Sequence, residues 1–530
     1  MKSAIMGICL LAFCSPAFAE IIQILHTNDL HSHLEHAPHR PEIGGYARMK
    51  VLIDKHRQIA AYAGVGTIAM DGGDTMEGNL YYMADKGRKT LEAFNRIGYD
   101  VSVLGNHDYL MAADDLEAIV RDVPPSFGLL AANFKMNSNY PNINQHVKPV
   151  WETVINGVKV GVVGITLNDM LYKWRLKGAG KIENETDAAK YWAKYLRKRG
   201  NQIVIALTHI GVSKDKQLAF NVPELDLIVG GHSHTELHKV VYQKSINGKS
   251  IPIVQAGKYG EWLGKIMLDY NKLTKKLKIQ SYELMAAYSD EKDPGIEALI
   301  GKANEDLYDL YGKEWLEGIV GHSYLRPNTE VDDKKIWHFF INDSMMESTH
   351  ADFAIHASAL SGDNYPVGDV TRRSIYNGTP RTFDFNDKYG YNVYTASVSG
   401  VWIKLVATAA MNLNVPLYFS GITFQWKKKA NGKYKVWGIK HKGERIKLLK
   451  RYNVAFSEAI VRGGYSISKL VGLILHNGKR TDTSMWKAIE EKFAREGDLY
   501  PDYLDRYYRH DILSIGGREM ERVMVPVDPE

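Results

Sequence analysis

The sequence contains almost no cysteine. Only two cysteines occur in 530 residues, and both of them, Cys9 and Cys14, lie close to the start. The rest of the chain therefore cannot build a disulfide framework, and it has no thiolate to offer as a metal ligand. A chain of this length buries enough apolar surface to be stable without disulfides.

A strong net charge is also missing. The formal charge is +6, and 24% of the residues are charged against 45% that are hydrophobic. This balance is typical of a globular protein, gives little indication of a nucleic-acid polymer as partner, and favours small anionic substrates. Because single cores stop growing at about 250–300 residues, the length predicts two domains.

The first 19 residues differ from the rest. Lys2 is their only charge, an apolar stretch follows over Ala4–Phe13, and Pro16–Ala19 offers small residues for cleavage. The apolar stretch is shorter than the ~20 residues that a membrane span requires. We therefore predict a cleaved secretory signal peptide over 1–19, a periplasmic or secreted protein, and no membrane anchor after cleavage. Lipid attachment through Cys14 is a less favoured alternative.

Strand-like apolar runs alternate with helix-like stretches in the first half of the chain. The strand-like runs are Ile21–Leu25, Val65–Met70, Val101–Leu104, Lys159–Ile165, Ile203–Leu207 and Leu225–Val229. The helix-like stretches include Tyr46–Ile59, Met111–Val120 and Ala188–Lys198. Such alternation predicts an α/β domain with a sheet flanked by helices.

Five of these apolar runs end in aspartate, asparagine or histidine. The polar endings are Asp29 and His31, Asp71 and Asp74, Asn106 to Asp108, His209, and the pair His232 and His234. In open strand-helix sheets, ligands bind beyond the carboxyl ends of the strands, so these side chains are expected to meet. Carboxylate, amide and imidazole ligands suit divalent Zn, Mn, Co or Fe, and their number predicts two ions sharing a carboxylate.

These endings resemble the signature of the calcineurin-like metallophosphoesterases. The surrounding segments Leu-His-Thr-Asn-Asp (25–29), Gly-Gly-Tyr-Ala-Arg (44–48), Ala-Ala-Asn-Phe (131–134) and Val-Gly-Ile-Thr (163–166) are similar to the exported 5′-nucleotidase family. That family includes periplasmic UDP-sugar hydrolases and cyclic phosphodiesterases. The resemblance is strong to about residue 270 and covers most of the chain.

The resemblance implies a ligand set and a catalytic residue. Asp29, His31, Asp74 and His234 would hold one ion, and Asp74, Asn106, His209 and His232 would hold the other. His107 would stabilise or protonate the leaving oxygen of a small phosphate ester. The family's aspartate three residues after this histidine is here Leu110, so Asp108 and Glu77 both stay open as the partner carboxylate.

The resemblance also implies the fold. An N-terminal four-layer αββα sandwich over 20–292 would be followed by a linker helix region over 293–329 and an α+β substrate domain over 330–530. The Asp293-Pro294-Gly295 turn and the change of pattern after it support this division, and Ile296–Trp315 is the expected connecting helix. A β-hairpin is predicted at Ala430-Asn431-Gly432.

The second half departs from the family pattern where the substrate would bind. The segment His356–Leu360 replaces a motif whose arginine faces the substrate, and Pro416 and Ala459 stand where two base-stacking phenylalanines are expected. A pocket rebuilt from nearby side chains is one interpretation, and packing in the core is the other. The side chains in question are Phe419, Phe456, Arg462 and Tyr465.

Three functions agree with this sequence. The first is an exported dinuclear phosphoesterase acting on small phosphate esters, with nucleotides as the family's usual substrates. The second is a phosphodiesterase or a hydrolase of other anionic esters, such as sugar phosphates. The third is a catalytically weak binding protein that retains the metal site.

Overall fold

The structure, a computed structural model, describes residues 19–110, 112–168, 176–327, 332–357, 361–362, 364–380, 388–412, 417–461 and 478–504. The predicted signal peptide lies outside these ranges, except for Ala19. None of the helices within them combines the length and the apolar character that crossing a bilayer requires.

The N-terminal region contains two large sheets. Its strands are β1 (Ala19–Thr27), β2 (Gly66–Asp71), β3 (Val101–Val103), β4 (Gly128–Leu130), β5 (Phe134–Met136), β6 (Val147–Lys148), β7 (Val150–Ile155), β8 (Val158–Thr166), β9 (Gly180–Ile182), β10 (Ile203–His209), β11 (Leu227–Val229), β12 (Val241–Lys244), β13 (Ser250–Val254), β14 (Trp262–Asn271) and β15 (Lys276–Ala286). Sheet A has the order β15-β14-β1-β2-β3-β4-β6, and sheet B has the order β12-β13-β11-β10-β8-β7. Strands β5 and β9 pair separately.

Helices cover the outer face of each sheet. They are α1 (Tyr46–Tyr62), α2 (Tyr81–Asp85), α3 (Arg88–Ile97), α4 (Ala113–Asp122), α5 (Pro141–His146), α6 (Glu185–Lys198) and α7 (Val212–Asn221). The two sheets face each other across a buried core that includes Ile24, Val103, Val162 and Ile205. A second core joins sheet B to α6 and α7. The region is therefore a four-layer αββα sandwich, as the resemblance predicted.

The central strands of both sheets run parallel. Strand β1 pairs in parallel with β2, β2 with β3, β8 with β10, and β10 with β11. Every residue of β10 (IVIALTH) is buried, which is why this strand reads as a continuous apolar run rather than an alternating one. The carboxyl ends of these strands lie at one edge, called the upper edge here, and their starts form the base.

A long helix follows the sandwich. Helix α8 (Pro294–Tyr311) begins at Asp293, whose side chain accepts a hydrogen bond from the Ile296 N–H at 2.8 Å. A short helix, α9 (Lys313–Leu316), comes directly after it. Helix α8 contacts the first region: the Tyr81 hydroxyl donates to Asn304 at 3.2 Å, and Arg96 pairs with Asp293 at 2.9 Å.

The C-terminal region is a mixed α+β arrangement. Its strands are β16 (Ile319–Ser323), β17 (Phe353–Ala357), β18 (Gly368–Thr371), β19 (Asn392–Ser399), β20 (Leu417–Ser420), β21 (Thr423–Lys428), β22 (Tyr434–His441), β23 (Glu444–Arg445), β24 (Arg451–Ser457), β25 (Lys479–Ser484) and β26 (Asp498–Leu499). Its helices are α10 (Asp332–Ser348), α11 (Arg372–Gly378), α12 (Gly400–Asn412), α13 (Glu458–Val461) and α14 (Met485–Glu496). The main sheet has the order β20-β17-β24-β19-β25, and the predicted hairpin joins β21 to β22.

One apolar core runs from the sandwich through α8 into the C-terminal region. It contains Phe94 of α3, Ile296 and Leu307 of α8, and Trp337 and Phe340 of α10, all of them buried. The backbone N–H of Leu80 also donates to the Asn377 side chain at 3.0 Å. The two halves therefore share packing rather than meeting only through a linker.

His26 supports a prediction about acid stability. It lies in β1 opposite Gly264 of β14, and burial lowers its pKa to about 3. The unfolded chain binds a proton here below pH 6.5 while the folded chain does not, so stability is lost as pH falls from 6.5 towards 3. In His26→Leu we expect the loss in unfolding free energy between pH 7 and pH 5 to be smaller by about 2 kcal/mol.

Urea unfolding of both proteins at the two pH values measures this difference. The exposed residue His350 provides the control, since His350→Leu should lose as much stability on acidification as the parent. An equal loss in His26→Leu and the parent would contradict the prediction.

Candidate dinuclear metal centre

The upper edge brings the predicted ligands together. Asp29 and His31 follow β1, Asp74 follows β2, His209 ends β10, and His232 and His234 follow β11. The loops after β1 and β2 run side by side, since Asp29 N–H donates to the Gly73 carbonyl and His31 N–H to the Asp74 carbonyl, both at 2.9 Å. Strand ends from both sheets thus form a single site.

The donor atoms fall into two groups. Asp29, His31 and His234 form one, and Asp74, His209 and His232 form the other. Within each group one ligand atom per residue lies within 4.8 Å of the others, as a shared cation would require. This division matches the two ligand sets implied by the family resemblance.

Asp74 lies between the groups. Its Oδ2 is 2.9 Å from His209 Nε2 and 3.7 Å from His31 Nε2, while its Oδ1 accepts the His107 backbone N–H at 2.7 Å. Asp29 also approaches both groups, because its Oδ1 is 3.3 Å from His234 Nε2 and 3.8 Å from His209 Nε2. The two carboxylates therefore connect the groups.

The histidines are oriented by backbone carbonyls. His31 Nδ1 lies 2.6 Å from the Glu77 carbonyl, and His209 Nδ1 lies 2.6 Å from the Gly72 carbonyl. Each Nδ1 donates its proton there, so in the neutral imidazole each Nε2 presents its lone pair to the site. Fixing the tautomer through the distant ring nitrogen is the usual outer contact of a metal-ligating histidine.

Buried polar atoms without partners also mark the site. Among the described residues, both amide atoms of the Asn106 side chain are buried with no hydrogen-bond partner. Leaving such atoms unsatisfied costs free energy, which a bound cation would offset. Asn106 is not in either group of His and Asp residues, but its orphaned carboxamide fits the predicted ligand role.

Charges within the site keep the carboxylates ionised. Burial alone would raise the pKa of Asp29, but His234 and His209 lower it to about 2. Burial would likewise lower the pKa of His209, but Asp74 and Asp29 raise it to about 10. A metal-ligating imidazole is neutral, so binding a cation would release this proton.

The ligands lie on a strained backbone. Asp29, His31, Asp74, His232 and His234 all have φ between 49° and 78°, a left-handed conformation that non-glycine residues rarely adopt. Residues held in such conformations cluster at functional sites, where the surrounding structure imposes them. Gly105 is needed beside them, because a Cβ at this position would collide with Asp74 Oδ1 and with the Asp74 backbone nitrogen.

His107 lies next to the first group. Its ring is 5.0 Å from the His31 ring, centroid to centroid, and its Nδ1 forms a short contact with a carboxylate oxygen of Glu77. Of the two carboxylates that the sequence left open as partners, the structure therefore places Glu77 against the imidazole.

Asp108 has a different environment. Its carboxylate accepts backbone N–H groups from Asp74 at 3.1 Å, Thr75 at 2.9 Å, Met76 at 3.1 Å and Gly105 at 2.8 Å. These bonds join the loop after β3 to the loop that carries Asp74. Both Asp108 oxygens are thus engaged with the backbone, so of the two candidate partners it is Glu77 whose carboxylate contacts His107.

The predicted substrate residues are not brought to this edge. Phe419 and Phe456 lie in β20 and β24, with 1% and 5% of their surface exposed, and both belong to the apolar core. This corrects their proposed pocket role in favour of packing. Arg462 and Tyr465 lie outside the described residues.

Two residues of the site were missed by sequence reasoning. Asn28 donates to Asp29 Oδ2 at 2.6 Å and accepts the Ala256 N–H at 2.7 Å, which fixes the orientation of the carboxylate. Tyr259 lies with its ring 5.8 Å from the rings of both His31 and His234. Tyr259 follows β13, and β13 ends at the upper edge because it runs parallel to β11. That position after a strand is the feature of the sequence from which Tyr259 could have been predicted.

An αββα sandwich whose strand ends carry two His/Asp groups defines the class of this chain, a metallophosphoesterase fold. Comparison with known families agrees: the model described as calcineurin-like phosphoesterase matches residues 22–236, and that described as 5′-nucleotidase, C-terminal domain, matches residues 321–471. Residues 22–236 thus match a calcineurin-like phosphoesterase domain, and residues 321–471 match a 5′-nucleotidase C-terminal domain.

Relatives of known name support this assignment. A snake venom 5′-nucleotidase of Naja atra is 27% identical over 332 residues, which are 58% of this chain and 61% of that protein. A 5′-nucleotidase of Diplobatis ommata is 29% identical over 335 residues, 58% of this chain and 56% of that protein. The matches thus span less than two thirds of these relatives.

A solved structure supports the whole fold. A 5′-nucleotidase precursor from Thermus thermophilus superposes with a TM-score of 0.75 at 20% identity. The superposition covers 90% of this chain and 97% of that one, so both domains share its arrangement.

Proposed function

We propose that this protein is an exported, dinuclear metal-dependent phosphoesterase that hydrolyses small phosphate esters, with nucleotides as the substrate class. The observation that carries the proposal is the position of Asp74 Oδ2 between the imidazoles of His209 and His31. A single carboxylate shared by two ligand groups is the arrangement that two-metal phosphoester hydrolysis uses. Export rests on the predicted signal peptide.

The residues present fit two divalent ions. Asp29, His31, Asp74 and His234 would hold the first, and Asp74, Asn106, His209 and His232 the second. The mixture of carboxylate, amide and imidazole without thiolate favours Zn, Mn, Co or Fe. When bound, such ions supply Lewis-acid polarisation of the phosphoryl oxygens and activation of water.

The chain's own residues would orient and protonate the substrate's leaving group. With His107 Nδ1 held by Glu77, the opposite nitrogen, Nε2, is directed away from that carboxylate. We infer that Nε2 carries the proton delivered to the leaving oxygen, and that Glu77 stabilises the charged imidazolium. Asp108 acts as a positioning residue, since it fixes the backbone on both sides of Asp74.

Glu77→Gln tests the orientation of His107. The amide keeps the size of the side chain but removes its charge, so the imidazole is held less firmly. We expect kcat for a nucleoside monophosphate, whose leaving oxygen needs the proton, to fall at least ~10-fold, but by less than the ~10⁴-fold upper limit of general-acid catalysis. The Glu77 carbonyl still contacts His31, so metal content should remain that of the parent.

Glu92→Gln is the matched control for this change, because Glu92 lies exposed on α3. It should keep the full rate. An unchanged kcat in Glu77→Gln, or a fall that is fully explained by lost metal, would exclude Glu77 as the residue that orients His107.

A substrate screen tests the chemical class. The curated relatives described above are named 5′-nucleotidases, which favours nucleoside monophosphates. Phosphate release should be measured with nucleoside monophosphates, cyclic nucleotides, UDP-glucose and sugar phosphates, each with Mn or Co and with excess chelator. Activity in chelator would contradict the metal mechanism, and poor hydrolysis of adenosine monophosphate would remove nucleotides as the preferred class.

A further inference from the structure

The base of the sandwich, opposite the metal centre, has an unusual surface. A cavity of about 960 Å³ opens there, between the hairpin that joins β14 to β15 and the base of sheet B. Its cationic lining residues are Arg197, Lys249, Lys275, Lys276 and Lys278, against one carboxylate, Asp226. Basic groups from both sheets therefore converge on one basal opening.

The single carboxylate does not neutralise the hairpin lysines. Asp226 is bound by Arg197 through its Oδ2 at 2.5 Å and by Lys249 through its Oδ1 at 2.7 Å. Among the residues that the structure describes, Lys275, Lys276 and Lys278 have no ion-pair partner. Three positive charges thus face solvent uncompensated, and the cavity favours anions.

Apolar side chains project from the turns around this cavity. Leu273, at the tip of the hairpin, is 70% exposed, and Ile246, in the turn between β12 and β13, is 68% exposed. Ile246 lies beside Phe220, since its N–H donates to the Phe220 carbonyl at 2.8 Å. Exposed apolar tips among lysines are typical of surfaces that rest in a lipid interface.

The start of the described chain lies at the same face. Ala19 pairs with Asn271 of β14, next to Lys272 and Leu273. The first described residue of β1 therefore lies at the base, on the side of the lysine hairpin. Asp29 and His31 follow the opposite end of β1, so the metal centre lies at the far side of the sandwich from this face.

We propose that this basal face docks onto an anionic lipid surface. Lys275, Lys276 and Lys278 contact the phosphate groups of the lipids, and Leu273 and Ile246 enter the interface. The lysines alone would be enough to bind a soluble anion. The exposed Leu273 and Ile246 side chains instead favour a partner that also has an apolar layer. In this orientation the metal centre faces away from the membrane and stays open to dissolved substrate.

Vesicle sedimentation tests the charge requirement. The parent should bind vesicles of equal parts phosphatidylglycerol and phosphatidylcholine, and it should bind phosphatidylcholine vesicles much more weakly. The triple variant Lys275→Glu, Lys276→Glu, Lys278→Glu should bind the anionic vesicles at least ~10-fold more weakly. The control carries the same charge change on the exposed lysines of the second domain: Lys427→Glu, Lys429→Glu, Lys433→Glu.

The apolar requirement is tested by Leu273→Asp against Leu449→Asp, which alters the 89% exposed Leu449 of the second domain. Only Leu273→Asp should weaken vesicle binding. Hydrolysis of an aryl phosphate should be unchanged in all these variants, and vesicle binding can be measured even if the proposed hydrolysis fails.

Three results would overturn the proposal: no binding of the parent to anionic vesicles, equal losses in the variants and their controls, or lysine-dependent binding of inositol hexasulfate without binding to vesicles. The last result would assign the cavity to a soluble polyanion.

Discussion

Asp74→Ala is expected to abolish phosphate-ester hydrolysis. In the proposed centre the Asp74 carboxylate serves both ions, so its loss would remove a ligand from each of them at once. Asp74 and Asp29 together raise the pKa of His209 to about 10, against the effect of burial. The change leaves His209 with only one of these two carboxylates. We expect kcat/KM for 4-nitrophenyl phosphate to fall by more than ~100-fold, the upper range for losing an outer partner of a metal ligand.

Metal content distinguishes this mechanism from general damage. The parent should retain two ions per chain after gel filtration in Mn or Co, and Asp74→Ala fewer, as determined by elemental analysis. Asp54→Ala, at an exposed position of α1, should behave as the parent. Full activity in Asp74→Ala, or two tightly held ions, would show that Asp74 is not the shared ligand.

His107→Ala is expected to lower kcat by about 10²–10⁴-fold while both ions remain bound. The imidazole lies beside the His31 ring but belongs to neither ligand group, so its removal takes away a proton donor and not a metal ligand. The loss should be greatest for alkyl phosphates, whose leaving oxygen needs the proton, and smaller for esters of acidic phenols.

A comparison of leaving groups checks this role. Rates for nucleoside monophosphates and for 2,4-dinitrophenyl phosphate should be measured in the parent, in His107→Ala and in the exposed control His350→Ala. Equal losses for both esters would argue that His107 binds the phosphate group rather than protonating the leaving oxygen. A parent-like rate would remove it from the mechanism.

The sequence predicted the architecture of the first domain well because its strands are parallel and buried. Runs such as that of β10 are apolar throughout, and the polar residue after each run falls at the same sheet edge. His209 and the pair His232 and His234 could therefore be placed near Asp29 from the sequence alone. Helix ends were less exact, as with α1, which continues to Tyr62 instead of Ile59.

The choice between Glu77 and Asp108 could not be made from sequence. Both carboxylates lie within three positions of a predicted site residue, and the path of two loops decides which one meets His107. The bend after Asp74 presents its neighbouring N–H groups to Asp108, and Glu77 is left facing the imidazole. Such loop contacts have no periodic signature.

The second domain was harder to predict for a related reason. Strand β24 lies between β17 and β19, although about 100 residues separate β17 from β24 in the chain. In such a central strand both faces are covered, so an aromatic residue such as Phe456 gives no sign of whether it faces a pocket or the core.

The apolar core that runs through α8 limits where this chain can be divided to make truncated or chimeric proteins. One apolar core contains Phe94, Ile296, Leu307 and Trp337. The segment between the two family matches therefore does not separate two independently packed domains. A fragment that stops before α8 would expose the face that this helix covers. A chimera that takes its second domain from a relative would have to take α8 from the same relative, because α8 shares one apolar core with both α3 and α10.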